Sequence, residues 1–364
     1  MASQSDLLYL RTATEHAAKG MYTTTPNPRV GCLVVRDGEV LGRGYHVRPG
    51  EGHAEVNALA DAGRPVVGAT AYVSLEPCAF EGRTPPCAKA LIEARVERVV
   101  AAMIDPHPKV SGQGMAMLRA AGIMAELVEL PEAQALNAGY VSRVTTGRPY
   151  VRLKTAISLD GRTGMASGES QWITGEAARA DVQEWRARSC ALISGSGTVM
   201  ADDARLTVRD EGFSVDGVIR QPLRAIADSK LQLPSSAAVL QPPGEVLIVH
   251  AGINAPTVEG VEHICLPGSG VPPKVDLAAL LDELGARGCN EVLVEAGAAL
   301  LGAFLAADLW DELLVYMAPK LLGSDARPLA NLPLGKMNEA VQARLIDCVP
   351  VGDDLRLRLG RSGQ

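Results

Sequence analysis

His53, Cys78 and Cys87 fall within one short span, with Glu55 two residues after the histidine. Any fold of this chain must answer to that set. One imidazole and two thiolates suit zinc, and three protein ligands leave a fourth position open, as in catalytic rather than closed structural zinc sites. A carboxylate beside an open metal, not itself a ligand, is placed to move protons on and off water. A purely structural site would want a fourth protein ligand. Glu76 is read as the cap of a turn rather than as a partner of the metal.

The remaining bulk properties narrow the class. The chain has 364 residues, which favours two domains, and 47% hydrophobic with 21% charged residues suits an α/β protein. Aromatic residues make up only 4%, so Ala, Val, Leu and Ile must fill the core. A net charge of −7 excludes a general nucleic-acid binder, which needs a basic surface. No apolar run is long enough to span a bilayer. Met1 to Asp6 lacks the pattern of a signal peptide, so the expected setting is cytoplasmic. Cys32, Cys190, Cys265, Cys289 and Cys348 are then read as free thiols.

Local signals order the first half. Residues 6–19 read as an amphipathic helix with Asp6 as N-cap and Gly20 as stop. Residues 30–35 and 40–45 read as strands joined by Asp37-Gly38, a strong hairpin signal. His53 opens a helix to about Ala62, and 69–74 is a strand that hands over to a helix around Cys78. Residues 87–94, 97–103, 113–121 and 123–129 alternate helix and strand, which implies a sheet with helices on both faces. Pro131 opens a last helix to about Ala138, and residues 145–149 read as a linker between domains at 1–146 and 147–364.

The pattern H-x-E followed by P-C-x-x-C marks zinc deaminases. Here the two cysteines stand further apart, with residues 79–86 between them. Thr24-Thr-Pro-Asn27-Pro, His53-Ala-Glu55 and Leu75-Glu-Pro-Cys78 through Gly82-Arg-Thr-Pro-Pro-Cys87 resemble the deaminase half of the bifunctional riboflavin-biosynthesis deaminase–reductases. Members often carry histidine just after the first cysteine; Ala79-Phe80-Glu81 stands there in this chain.

In the second half, residues 149–158 form a β-rich run before a polar loop, and Thr174 is read as the N-cap of a helix to about Arg188. Residues 191–194 are a buried strand and 195–198 a tight turn of small residues. Further strands are expected at 223–227, 246–250, 264–266, 292–295, 312–317 and 355–359, with a helix from Asp276 to about Arg287. Glu295-Ala-Gly297 reads as strand, glycine turn and helix start, a geometry suited to a pyrophosphate; it is not the dinucleotide fingerprint. Together with Ser158-Leu-Asp-Gly-Arg, Ser167-Gly-Glu-Ser-Gln-Trp172, Gly197 to Asp203, Leu206-Thr-Val-Arg209 and Ala318 to Asp325, it resembles the reductase half of the same family. Residues 211–222 and 232–273 carry little of the likeness.

The resemblance implies a cytidine-deaminase-like three-layer α/β/α domain followed by a dihydrofolate-reductase-like α/β domain. It implies Zn2+ on His53, Cys78 and Cys87, with Glu55 as the proton shuttle and Asn27 on the pyrimidine. It implies NADPH at Ala156, Trp172, Thr198, Asp202, Ser229 and Gly297, Ala298, Ala299, Leu300, Leu301, Gly302 and Ala303. Ser170, Arg186, Leu206, Arg209 and Glu295 would meet a phosphorylated ribosylaminopyrimidine, with Arg186 and Arg209 clamping its phosphate. Deamination would precede reduction of the ribose to a ribityl chain, with Asp202 the first candidate proton donor. No nucleic-acid or membrane partner is implied, and a homodimer is. Two rivals stand beside this reading: a zinc deaminase of another nucleotide or of RNA whose second domain only binds, and a non-catalytic regulator. Taken singly, Arg186 fits a solvated helix face and Trp172 plain packing; only the joint pattern favours a site.

Overall fold

A computed structural model describes residues 3–80, 85–108, 110–252 and 258–362. The chain divides between Gly147 and Arg148 into two compact units.

The first unit contains α1 (Gln4–Ala17), β1 (Gly31–Arg36), β2 (Glu39–Tyr45), α2 (Ala54–Ala62), β3 (Thr70–Val73) and α3 (Cys87–Glu93). It continues with β4 (Arg98–Ala101), α4 (Gln113–Ala120), β5 (Met124–Leu127), α5 (Pro131–Leu136) and α6 (Ala138–Thr146). The sheet order is β2-β1-β3-β4-β5, with β1 antiparallel to both neighbours and β3, β4 and β5 parallel. Successive strand residues point to opposite faces, and each face builds its own core. Cys32, Val34, Ala71, Val73, Val99 and Ala101 pack with residues of α2, α3 and α4. Leu33, Val35, Tyr72 and Val100 pack with Leu10, Ala13 and Ala133 from α1 and α5. The result is the three-layer deaminase-like domain. Asp37 and Gly38 both take positive φ, 53° and 81°, the backbone a tight hairpin turn requires.

The second unit contains β6 (Tyr150–Ser158), α7 (Glu176–Arg188), β7 (Ala191–Gly195), α8 (Ser196–Asp202), β8 (Leu223–Ala227), β9 (Val246–His250) and β10 (Glu262–Cys265). After these come α9 (Leu277–Ala286), β11 (Glu291–Glu295), α10 (Ala298–Ala306), β12 (Glu312–Ala318), β13 (Ala343–Val351) and β14 (Asp354–Arg361). One sheet runs β10-β9-β8-β7-β11-β6-β12-β14-β13. It is parallel from β10 to β12, and the last two strands are antiparallel. α9 and α10 cover one face through Leu280, Leu284, Leu301 and Phe304. α7 and α8 cover the other through Val182, Trp185 and Val199.

Several local readings need correction. Ser3, not Asp6, caps α1: its hydroxyl accepts from the Asp6 N–H, and Asp6 answers to the Ser3 N–H in a capping box. Thr145 and Thr146 belong to α6 rather than to a linker, and Gly147 ends that helix in the left-handed conformation. The N-cap of α7 is Gly175, whose N–H is held by the Asp354 carboxylate; the Thr174 side chain makes no cap bond. Residues 196–198 are the first turn of α8, not a free turn. No helix starts at Cys78; α3 begins at Cys87.

Candidate functional sites

In the first unit, the metal-ligand set comes from one loop and two helix starts. His53 is the N-cap of α2 and Cys87 the first residue of α3. Cys78 lies on the loop after β3. The donor atoms of His53, Cys78 and Cys87 lie within 4.8 Å of one another. His53 Nδ1 is 3.0 Å from Cys87 Sγ and 3.6 Å from Cys78 Sγ, and the sulfurs are 3.4 Å apart. Tetrahedral zinc at ~2.3 Å from sulfur and ~2.0 Å from nitrogen separates such donors by roughly 3.5–3.8 Å; the His53–Cys78 pair stands at that spacing and the other two pairs are up to about half an ångström closer, so the donors converge as a zinc set does. The Cys87 N–H also donates to Cys78 Sγ at 3.3 Å. Hydrogen bonding to Cys87 and His53 holds the Cys78 thiol down to about 4 against its burial.

Glu55, one helical position inside α2, is 2% exposed. Burial, reinforced by the Cys78 thiolate, pushes its carboxyl up to about 7. A carboxyl with that affinity can both take and release a proton near neutral pH. Asn27 is half-buried, and its Nδ2 lies 3.0 Å from His46 Nε2. His46 was not singled out from the sequence. Its Nδ1 meets the Gly52 carbonyl at 3.2 Å and its ring stands edge-on to His53, centroids 5.2 Å apart, so it connects Asn27 to the metal set. Burial lowers its pKa and keeps it neutral. Phe80 is 51% exposed; Glu81 and the Gly82-Arg83-Thr84 part of the insertion lie outside the described residues.

The second unit carries a cleft of about 1010 Å³ at the C-terminal ends of β6, β7, β11 and β12, where ligands of open α/β sheets bind. Ala156, Ser170, Trp172, Arg186, Thr198, Asp202, Leu206, Arg209, Glu295, Gly297, Ala298, Ala299 and Leu300 all line it. Ser229, Leu301, Gly302 and Ala303 do not. The Ser229 hydroxyl accepts from the Val275 N–H. Leu301 is buried in the core, a Cβ on Gly302 would stand 2.4 Å from the Asn331 carbonyl oxygen, and Ala303 faces solvent. A helix turns only part of its surface to a cleft, so a contiguous stretch of α10 cannot line it throughout.

Arg186 is not a free phosphate clamp. Its Nε and Nη2 donate to the two carboxylate oxygens of Glu295 at 2.6 and 2.9 Å, and Nη1 donates to the Thr207 carbonyl. Burial opposes the charge on Glu295, but Arg186 and Lys154 outweigh it and hold the carboxyl below its usual range. Lys154 on β6 is the residue the sequence reading missed. It lines the cleft, with Nζ 3.9 Å from Glu295 Oε2, and burial lowers its pKa from the usual 10.5. Leu206 is buried with φ 54°, a left-handed conformation costly for a side chain of this size, so it presents backbone to the cleft. The Ser170 hydroxyl donates to Asp202, and Trp172 is 62% exposed under the Arg179 guanidinium. At the other end Thr198 accepts from the Gly297 N–H, and a Cβ on Gly197 would meet open space. That glycine-walled end, beside the start of α10, fits the pyrophosphate of a dinucleotide.

Residues 3–103 match the cytidine and deoxycytidylate deaminase zinc-binding region, and residues 149–357 match the RibD C-terminal domain. The riboflavin biosynthesis protein RibD of Escherichia coli K12 is 47% identical over 97% of this chain and 99% of its own. Its Haemophilus influenzae counterpart is 46% identical over 98% and 97%. Among solved structures, Acinetobacter baumannii RibD matches with TM-score 0.90, 44% identity and 99% coverage of both chains. The Thermotoga maritima diaminohydroxyphosphoribosylaminopyrimidine deaminase/5-amino-6-(5-phosphoribosylamino)uracil reductase matches with TM-score 0.88, 30% identity and 98% coverage of both.

Proposed function

Because this chain belongs to the RibD family of bifunctional riboflavin-biosynthesis enzymes, we propose specific roles for the residues of its two sites. It is a deaminase and reductase in one polypeptide, and a second domain used only for binding is not favoured. The substrates proposed are 2,5-diamino-6-(5-phosphoribosylamino)pyrimidin-4-one for deamination and 5-amino-6-(5-phosphoribosylamino)uracil for reduction, in line with the name of the Thermotoga relative.

In the deaminase half, His53, Cys78 and Cys87 hold zinc, which when bound supplies the Lewis acidity that makes water a nucleophile near neutral pH. Glu55 takes the proton from the attacking water and passes protons to the departing ammonia. Asn27, steadied by His46, orients the pyrimidine. The observation that carries this half is the convergence of three donors with the buried carboxyl of Glu55 two residues from one of them.

In the reductase half, NADPH supplies the hydride. Gly197, Thr198 and Gly297 to Leu300 would line its pyrophosphate, with Ala156, Trp172 and Asp202 along the cleft. Ser170, Leu206, Arg209 and Glu295 would meet the substrate, with Arg209 taking the phosphate and Arg186 holding Glu295. Lys154, a half-buried lysine of lowered pKa between Glu295 and Tyr316, displaces Asp202 as the first candidate for the proton that the opening sugar requires. Asp202 is exposed and already accepts from Ser170.

We place the enzyme in the cytoplasm, whose reducing conditions suit seven cysteines that form no disulfide; no helix among the described residues is long and apolar enough to cross a membrane. A homodimer is supported by β13, an edge strand that leaves Leu345, Ile346 and Val349 exposed. The test of the whole reading is a coupled assay on the diaminopyrimidine substrate, following ammonia and NADPH separately. Ammonia without NADPH consumption, from either compound, would remove the reductase assignment.

A further inference from the structure

We propose that Glu76 is a positioning residue for the deamination: it fixes the first cysteine ligand by tying the loop that carries it to the start of α4. The inference rests on the zinc-site reading above and deepens it. Glu76 is 3% exposed and lies two residues before Cys78. Its Oε2 accepts from the N–H groups of Asp105 at 3.2 Å and Gly112 at 2.9 Å. Its Oε1 accepts from Gly114 at 2.9 Å and Met115 at 3.1 Å.

Those four amides explain why the residue is a glutamate. α4 starts after Gly112, which has no side chain to cap it. The amides of the second and third helical residues, Gly114 and Met115, are the ones an N-cap side chain ordinarily satisfies. Glu76 reaches in from another segment to do so, and its charge suits the helix N-terminus. Four N–H donors also use every acceptor direction of a carboxylate. Glutamine has the same shape but offers one oxygen, and its NH2 would face N–H groups. An isosteric change is therefore not a conservative one here.

The clamp acts on Cys78 through the chain. The Glu76 N–H donates to the Met103 carbonyl at 2.9 Å, anchoring its backbone to the end of β4. On the other side, Pro77 lies against Gly114 so closely that a Cβ there would fall 1.7 Å from the Pro77 carbonyl oxygen. Pro77 is thus held between the Glu76 anchor and the first turn of α4, and Cys78 follows directly. The place of Cys78 Sγ, 3.4 Å from Cys87 Sγ, is set by a helix that contributes no ligand.

The test uses the full chain with Glu76→Gln and, separately, Gly114→Ala, which pushes on Pro77 from the opposite side. Zinc affinity is measured by competition with a chromophoric chelator, and the thiolate-to-metal absorption is recorded with Co2+ in place of zinc. NADPH oxidation on the deaminated substrate monitors the reductase half. Both variants should hold zinc about 10–100-fold more weakly, the loss seen when support of a ligand is removed, with a shifted cobalt band and an unchanged reductase rate. Wild-type affinity and band in folded Glu76→Gln, even with lower thermal stability, overturn the proposal. If Glu76→Gln does not fold, wild-type affinity in Gly114→Ala overturns it. A wild-type chain that binds neither metal instead overturns the zinc-site reading beneath it.

Discussion

Arg186 and Glu295 meet in the reductase cleft as a two-point ion pair, with both side chains at most 13% exposed. Breaking a buried pair on one side typically costs about 3–5 kcal/mol, because the remaining charge is left uncompensated. Arg186→Met and Glu295→Gln should each lower NADPH oxidation on the deaminated substrate by more than 100-fold. The double variant should be little worse than either single one, since both remove the same interaction. Additive losses in a double-mutant cycle would mean that the two residues act separately.

Glu55→Gln keeps the shape of the side chain and removes its proton chemistry. Ammonia release should fall by about 10²–10⁴-fold, the usual contribution of a general acid–base. NADPH oxidation on the deaminated compound should stay at the wild-type rate. A single-turnover ammonia assay at saturating zinc checks this.

Removing the metal separates the two activities in the same way. A strong chelator should abolish ammonia release and leave the reduction intact, and added zinc should restore the first. Loss of both activities on chelation would show that the second unit also depends on the ion.

Lys154→Met removes an amine while nearly preserving the length of the side chain. Reduction should fall by at least 100-fold with NADPH binding, followed by cofactor fluorescence, changed less than threefold, as a proton donor would give. Because burial lowers the Lys154 pKa, the alkaline fall in the wild-type rate should begin below the usual lysine value of 10.5. A wild-type profile in Lys154→Met would return Asp202 to first place.

Asp6 and Arg98 supply a pH-dependent part of the stability of the first unit. Arg98 and the Ser3 and Tyr72 hydrogen bonds hold the Asp6 carboxyl well below its ordinary 3.8, against burial. A carboxyl with a depressed pKa stabilises the fold fully above its unfolded value and loses that contribution as pH falls through the folded one. Asp6→Asn should cost about 1–3 kcal/mol at pH 7, read from the urea transition of the deaminase unit. The gap to wild type should begin to close below about pH 4 and vanish only below the depressed folded value.

Much of this was legible in the chain because short-range rules act alone there. Leu33 and Val35 alternate with Cys32 and Val34, and the two sets fill two different cores. The cluster of His53, Cys78 and Cys87 was equally legible, because few residue types bind zinc. What was missed depends on partners distant in sequence. Gly175, at the start of α7, gives its own N–H to the Asp354 carboxylate, a contact no local pattern announces. β13 hid because it is an edge strand exposed along almost its whole length, so no alternation of buried residues marks it. Lys154 and His46 are ordinary residues in ordinary strand sequence; only burial beside Glu295 and beside Asn27 marks them. The pairing of Arg186 with Glu295 went unread for the same reason, since the two lie 109 positions apart.

The span between the two zinc-site cysteines is closed at its base. The Cys87 N–H reaches Cys78 Sγ, and the Ala88 N–H reaches the Cys78 carbonyl. Because the ends are tied to each other and to α3, the residues between them can vary in kind and number without moving the sulfurs. The spacing of the two sulfurs is therefore set by the closed base rather than by the length of chain that runs between them.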